Sequence, residues 1–195
     1  MLTRKQAIDF LLNKPAAFGR LLGFTKLKEV HNKWLKDMIR GKKSKTLQGH
    51  RGSFKTTCLS IALAVIMILL PNKRILFMRK TDDDVKEVIR QVQKILTDPR
   101  TVFLVQVIYG VPLMLVTANA TELSTNLTTD VRGTSQLVGM GIGGSLTGKH
   151  FDFIFTDDIV NLKDRVSKAE RDRTKMIYQE LANILNPHGR IFNTG

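Results

Sequence analysis

The stretch Thr46–Leu70, TLQGHRGSFKTTCLSIALAVIMILL, decides how the rest of the chain is read. A short β-prone segment enters a loop holding Gly49 and Gly52, then Lys55-Thr56-Thr57, then a continuous apolar run. That is the order of a phosphate-binding loop. Glycines let backbone N–H groups turn toward an anion, the N-terminus of the next helix adds its dipole, and a lysine adds a point charge. In this reading Gly49, His50, Arg51, Gly52, Ser53, Phe54, Lys55, Thr56 and Thr57 wrap the phosphates of a nucleotide. Lys55 is placed for the β/γ-phosphates and Thr56 for a Mg2+ ion. The helix behind is apolar nearly all round, so it belongs in a core. Phe54 departs from the pattern, which asks for glycine before the lysine, and a side chain there is costly if the backbone needs positive φ. The competing reading is a basic turn ahead of a core helix.

A second constellation lies downstream. FIFTDDIV, Phe153–Val160, reads as a buried strand that ends in Asp157 and Asp158. In open α/β sheets ligands bind outside the carboxyl ends of strands. An acid there orients Mg2+, and its neighbour positions or deprotonates the attacking water. Loop and acid pair together are what phosphoryl transfer requires. Arg51, inside the loop, is in reach of a γ-phosphate and can neutralise transition-state charge in cis; a plain surface arginine is the alternative. At the far end, Asn193 and Thr194 stand at a strand terminus, where they either sense the γ-phosphate or make a simple turn.

Charge narrows the partners. Lys plus Arg number 31 against 17 Asp plus Glu, a net of +14 in 195 residues. Such an excess speaks for a polyanion, nucleic acid before membrane, and says nothing about fold. The single cysteine, Cys58, lies in the apolar run, so it makes no disulfide framework and has no metal-ligand spacing. Neither do the four scattered histidines. The longest apolar run, Cys58 to Leu70, falls short of the ~20 residues a membrane span needs.

Periodicity places the rest. Helices are expected over Thr3–Leu12, Thr25–Arg40, Thr56–Leu70, from Thr81 as a cap onward, and over Asp164–Leu185. Strands are expected at Thr46–Gln48, Arg74–Arg79, Val102–Ile108, Leu113–Thr117, Phe151–Asp158 and Gly189–Gly195, with a hairpin around Gly110. Residues 122–148 read either as strand and loop lining a site or as a flexible connection. Strands alternating with helices give an α/β fold with a mainly parallel sheet.

The segments HNKWLKDMI, GHRGSFKTT, RILFMRKT, GIGGSLTGKHFDFIFTDDIV and GRIFNTG, in this order, resemble the ATPase domain of the large terminase subunit of tailed bacteriophages. The resemblance runs from about Trp34 to the end. It implies a P-loop NTPase core with an extra strand between the two nucleotide-binding strands, preceded by a helical segment over residues 1–43, the core occupying 44–195. It implies a motor that hydrolyses ATP with Mg2+ to drive double-stranded viral DNA into a preformed capsid, in the cytoplasm of a bacterial host and without a membrane. Portal protein and small terminase subunit would be partners, with a homo-oligomeric ring on the portal and a monomer in isolation.

By the same resemblance Asp157 is the metal-orienting acid. Asp158 takes the place of a catalytic glutamate, one methylene shorter. Asn193 and Thr194 match a motif that couples hydrolysis to movement. Where many relatives place an arginine that acts on the neighbouring subunit, this chain has Thr147, so Lys149 and Arg132 are the candidates for that role. Relatives continue into a nuclease domain; these 195 residues end at the coupling motif, and no DNA cleavage is expected of them. Two other readings stand beside the motor: a non-catalytic DNA-binding or assembly module with a degenerate nucleotide site, and a helicase-like ATPase.

Overall fold

A computed structural model describes residues 2–131, 133–145, 148–160 and 162–195. In chain order the elements are α1 (Arg4–Asn13), α2 (Pro15–Leu21), α3 (Glu29–Arg40), β1 (Lys45–Leu47), α4 (Lys55–Leu69), β2 (Ile75–Arg79), α5 (Asp82–Thr97), α6 (Pro99–Tyr109), β3 (Leu115–Ala118), β4 (Glu122–Thr125), β5 (Leu137–Gly141), β6 (Phe151–Asp157), α7 (Leu162–Val166), α8 (Lys168–Asn183) and β7 (Leu185–Thr194). The local signals that start and stop them are chemical. Thr3 and Gln6 form a reciprocal capping box at α1. Pro15 opens α2 at a position where no N–H is needed. Thr81 accepts from Asp84 N ahead of the acid-rich first turn of α5.

The described strands form one sheet in the order β1-β7-β6-β2-β5-β4-β3. The pairs from β1 through β5 are parallel, and β4 and β3 add an antiparallel edge. Strand β7 lies between β1, which leads into the glycine loop, and β6, which ends in the acids. This inserts one strand between the strand that leads into the glycine loop and the strand that ends in the acids, as a P-loop NTPase order does, and the glycine loop, Asp157 and Thr194 all come to the carboxyl ends of adjacent strands.

Alternation along β2 shows why the sheet is a middle layer. Ile75 and Phe77 face one hydrophobic cluster, shared with α1 to α6, while Leu76 and Met78 face a second, shared with Leu181 and Ile184 at the α8 end. Helix α4 is buried from Cys58 through Ile68, because sheet and N-terminal helices enclose it on all sides. Ala7, Leu11, Phe18 and Leu35 join that same cluster, so the 1–43 segment packs into the core of residues 44–195.

Three sequence expectations need correction. Val102–Ile108 is not a strand but the body of α6. Asp98 caps it, Pro99 stands in its first turn, and Gly110 closes it in the left-handed region. Thr101, Leu104, Val105 and Ile108 are buried at helical spacing, and that burial overrides the strand preference of the β-branched residues between them. The antiparallel hairpin is β3–β4, not a turn around Gly110. The helix expected over Asp164–Leu185 is broken in two, since Ser167 accepts from Glu170 N and starts α8 afresh. The described residues of 122–148 hold two strands, β4 and the fully buried β5, the latter paired parallel to β2.

Candidate active site

The loop between β1 and α4 closes on itself before it meets anything else. Ser53 N donates to His50 O, and Gly49 N donates to Gly195 O at the end of β7. A Cβ on Gly49 would stand 2.8 Å from Ser53 Oγ and 3.2 Å from Lys55 Cδ, so only glycine lets the lysine stem lie across the loop. Lys55 Nζ donates to Gly49 O. Ser53 Oγ is buried and has no hydrogen-bond partner among the described residues, an orphan polar atom within the glycine loop. An anion such as phosphate would give that hydroxyl a partner.

Phe54 occupies the left-handed region at φ 60°, ψ 24°, the conformation that makes glycine usual at this position. Its ring packs edge-on against His31 (5.8 Å between centroids, 85° between planes), and His31 packs edge-on against Trp34 (5.1 Å, 87°). His31 Nδ1 accepts the Lys28 N–H at 2.7 Å, which leaves Nε2 to donate to Ser53 O at 3.2 Å. Helix α3 therefore holds the loop through one imidazole. In the sequence His31 is one scattered histidine among four. Its only trace there is the three-residue spacing to Trp34 on one helix face.

The acids sit where strand register places them. Asp157 ends β6 opposite Thr194 of β7, and its side chain is fully buried. Its Oδ2 accepts from Thr56 Oγ1 at 2.9 Å, and its Oδ1 accepts from Thr194 Oγ1. Asp158 turns into the left-handed region (φ 46°), donates its N–H to Thr194 O at 3.0 Å, and leaves its side chain 54% exposed. Asn193 links three elements: its Oδ1 accepts from Thr156 Oγ1 (2.8 Å), and its Nδ2 donates to Thr46 Oγ1 (3.2 Å) and to Tyr178 OH (2.6 Å) on α8.

Arg51, Lys55, Lys80, Asp84, Asp158 and Arg165 line one cavity of about 580 Å3. Cations outnumber acids there, which suits a polyphosphate. Lys80, inside the segment RILFMRKT but without a role in the phosphate-loop pattern, is nearly buried. Its Nζ donates to Asp164 Oδ1 (2.7 Å) and Thr174 Oγ1 (2.9 Å), pinning the α7–α8 corner to the end of β2. Arg79 lies in the same segment and has no place in the phosphate-loop pattern; its Nε stands 3.3 Å from Asp157 Oδ2 and its Nη2 3.7 Å from Asp158 Oδ2.

The hydroxyl of Thr56 and the carboxylate of Asp157 are hard oxygen ligands of the kind Mg2+ takes. Among the described residues no group of three or more His, Cys, Asp or Glu is placed to hold a metal by itself. His50 and Arg51 are exposed on the loop, and Thr57 begins the turn that buries α4. Lys149 is not brought to the cavity. It precedes β6, at the opposite end of that strand from Asp157, roughly 20 Å away at ~3.3 Å per residue. Arg132 and Thr147 lie outside the described residues.

Away from the cavity, Lys26 and Lys28 just ahead of α3, Lys33 and Arg40 on it, and Lys42 and Lys43 in the loop that follows are exposed. Arg190 of β7 holds the end of α3, its Nη2 donating to Met38 O (2.6 Å) and Ile39 O (2.9 Å). Burial pulls this guanidinium below its ordinary pKa. No described helix is long and apolar enough to cross a membrane.

No family model and no curated protein matches the chain. Among solved structures it is similar to the large terminase ATPase domain of Thermus phage P74-26, at 13% identity and a TM-score of 0.47 over 78% of this chain. An arginine-to-alanine mutant of that domain gives 11% and 0.46. The chain spans 59% of the length of those structures.

Proposed function

We propose that this chain is a Mg2+-dependent ATPase whose cycle moves double-stranded DNA, as the packaging motor of a tailed bacteriophage does. One observation carries the reading: Thr56, first-turn neighbour of the loop lysine, hydrogen-bonds the buried Asp157 across 101 residues of sequence, beside a cavity shared by Lys55, Arg51 and Asp158. A basic turn before a core helix has no reason to meet two acids at the end of another strand.

In this proposal the loop N–H groups and Lys55 clamp the phosphates. Thr56 and Asp157 hold Mg2+, which supplies charge neutralisation when bound. Asp158 orients the attacking water and takes its proton, and Arg51 offsets charge growing on the γ-phosphate. The cavity on the Phe54 side, about 660 Å3 and lined by His31, Trp34, Gln48 and Phe54, supports placement of the nucleoside end. Asn193 carries the state of the site to Tyr178 on α8. The exposed lysines of α3 and its loop meet DNA phosphates. Ring assembly on a portal, and delivery by a small terminase subunit, belong to the same proposal, with Lys149 acting on a neighbouring subunit.

A second reading has its own support. Phe54 in a strained conformation and Lys55 bonded back to its own loop favour a non-catalytic DNA-binding module. Duplex DNA separates the two. A motor hydrolyses ATP faster when DNA is added and holds DNA differently with and without nucleotide; a module binds DNA equally in both states, with affinity falling as salt rises.

A further inference from the structure

Among the described residues Arg79 is the one side chain that pairs with both acids of the site, and nothing in the phosphate-loop pattern calls for it. It ends β2, the neighbour of β6 on the side away from β7, and the register that pairs Met78 with Thr156 places it beside Asp157. Its side chain is 15% exposed, against 0% for Asp157 and 54% for Asp158. A fully buried carboxylate costs several kcal/mol unless it is compensated. Thr56 and Thr194 give Asp157 hydrogen bonds, and Arg79 gives it charge.

The guanidinium is a planar fork that can serve two carboxylates at once. We infer that Arg79 is the positioning residue of the acidic pair. It holds Asp157 while no metal–nucleotide is bound, releases that carboxylate to the ion, and keeps Asp158 aimed at the phosphate end of the cavity throughout. This rests on the ATPase reading and deepens it. Arg79 gives the half-exposed Asp158 carboxylate, on a left-handed residue, a charged partner at 3.7 Å. Supporting groups of this kind set the geometry of the groups that react.

The test uses the full chain with Arg79→Gln, Arg79→Lys, Asp157→Asn and the double variant Arg79→Gln/Asp157→Asn. Melting without nucleotide comes first. Arg79→Gln lowers Tm, and adding Asp157→Asn restores most of the loss, because the buried charge that needed a partner is gone. ATP affinity is then measured in EDTA and in Mg2+. Arg79→Gln weakens binding by about tenfold in EDTA, where Asp158 in the cavity and the buried Asp157 beside it repel the phosphates without their cation, and by less than about threefold in Mg2+. Turnover falls about 100-fold with KM nearly unchanged, the size expected when a general base is misdirected. Arg79→Lys recovers binding in EDTA but not kcat, since an ammonium lacks the fork.

Equal loss of affinity with and without Mg2+, or full kcat in Arg79→Gln, overturns the inference. So does simple additivity of the two substitutions in Tm. If the wild type neither binds nor hydrolyses ATP, the ATPase reading fails on its own, and the melting cycle still decides whether Arg79 serves Asp157.

Discussion

Replacing Phe54 by alanine and by glycine separates the two things this residue does. About three fifths of its area is buried, since it is 38% exposed. Losing that contact costs ~1–2 kcal/mol, and losing the edge-on contact with His31 costs ~0.5–1 kcal/mol more. Alanine keeps the left-handed backbone penalty, so Phe54→Ala is destabilised by about 2 kcal/mol. Glycine suffers the same losses and adds ~0.5–1 kcal/mol of unfolded-state freedom, but it sheds the ~1–2 kcal/mol that φ 60° costs a residue with a Cβ.

Phe54→Gly therefore ends above Phe54→Ala by ~0.5–1 kcal/mol, an order opposite to that in an ordinary helix interior. For a chain of this size about 2 kcal/mol is a Tm loss of roughly 4–8 °C, readable by calorimetry or by the circular dichroism of the helices. Urea unfolding with unchanged slope checks that the native state is the one altered. If the alanine variant equals or exceeds the glycine variant, Phe54 does not hold positive φ in solution. If both melt like the wild type, the ring does not tie the loop to α3.

Asp158→Asn should bind Mg2+–ATP with near wild-type affinity and turn it over at least about 100-fold more slowly, because the amide cannot accept the proton of water; normal turnover in steady-state assays sinks that role. Reversing Lys33, Lys42 and Lys43 to Glu should weaken duplex binding and reduce the log–log salt slope by about 3, read by fluorescence anisotropy across a salt series; an unchanged slope places the DNA surface elsewhere. Burial pushes the Cys58 thiol from 9.0 up to about 12, so at pH 8 a thiol reagent should label it only as fast as the chain unfolds. As pH rises from 9.0 toward 12 the unfolded thiol ionises while the native one does not, so native stability should fall through that window, by ~1.4 kcal/mol for each pH step of one. Urea unfolding across that pH range reads the slope, and stability that stays flat contradicts the burial of this thiol.

The parts of this molecule that are legible in its sequence are those whose chemistry is local. The caps at Thr3 and Thr81, the all-apolar α4 and the strand before Asp157 each announce themselves within a few residues. Strand β5 does not, because LVGMG, Leu137–Gly141, carries two glycines and sits in a polar run. Its glycines have a tertiary cause: a Cβ on Gly139 would lie 2.5 Å from Val85 Cγ1, where α5 crosses the strand. Helix α6 reads as a strand because its β-branched residues speak louder than Pro99 and the Asp98 cap. At the site, Lys55, Thr56 and Asp157 follow from motif spacing. Arg79, Lys80 and His31 act only through partners brought near by the fold, and a linear pattern holds no record of that.

The most direct test of the account is ATP hydrolysis with Mg2+, with and without duplex DNA, for the wild type beside Lys55→Ala, whose fold is checked by melting. Turnover that DNA stimulates and that is lost in the variant, with Tm kept, is the predicted result. Turnover that survives in Lys55→Ala, or wild-type protein that binds no ATP, contradicts it.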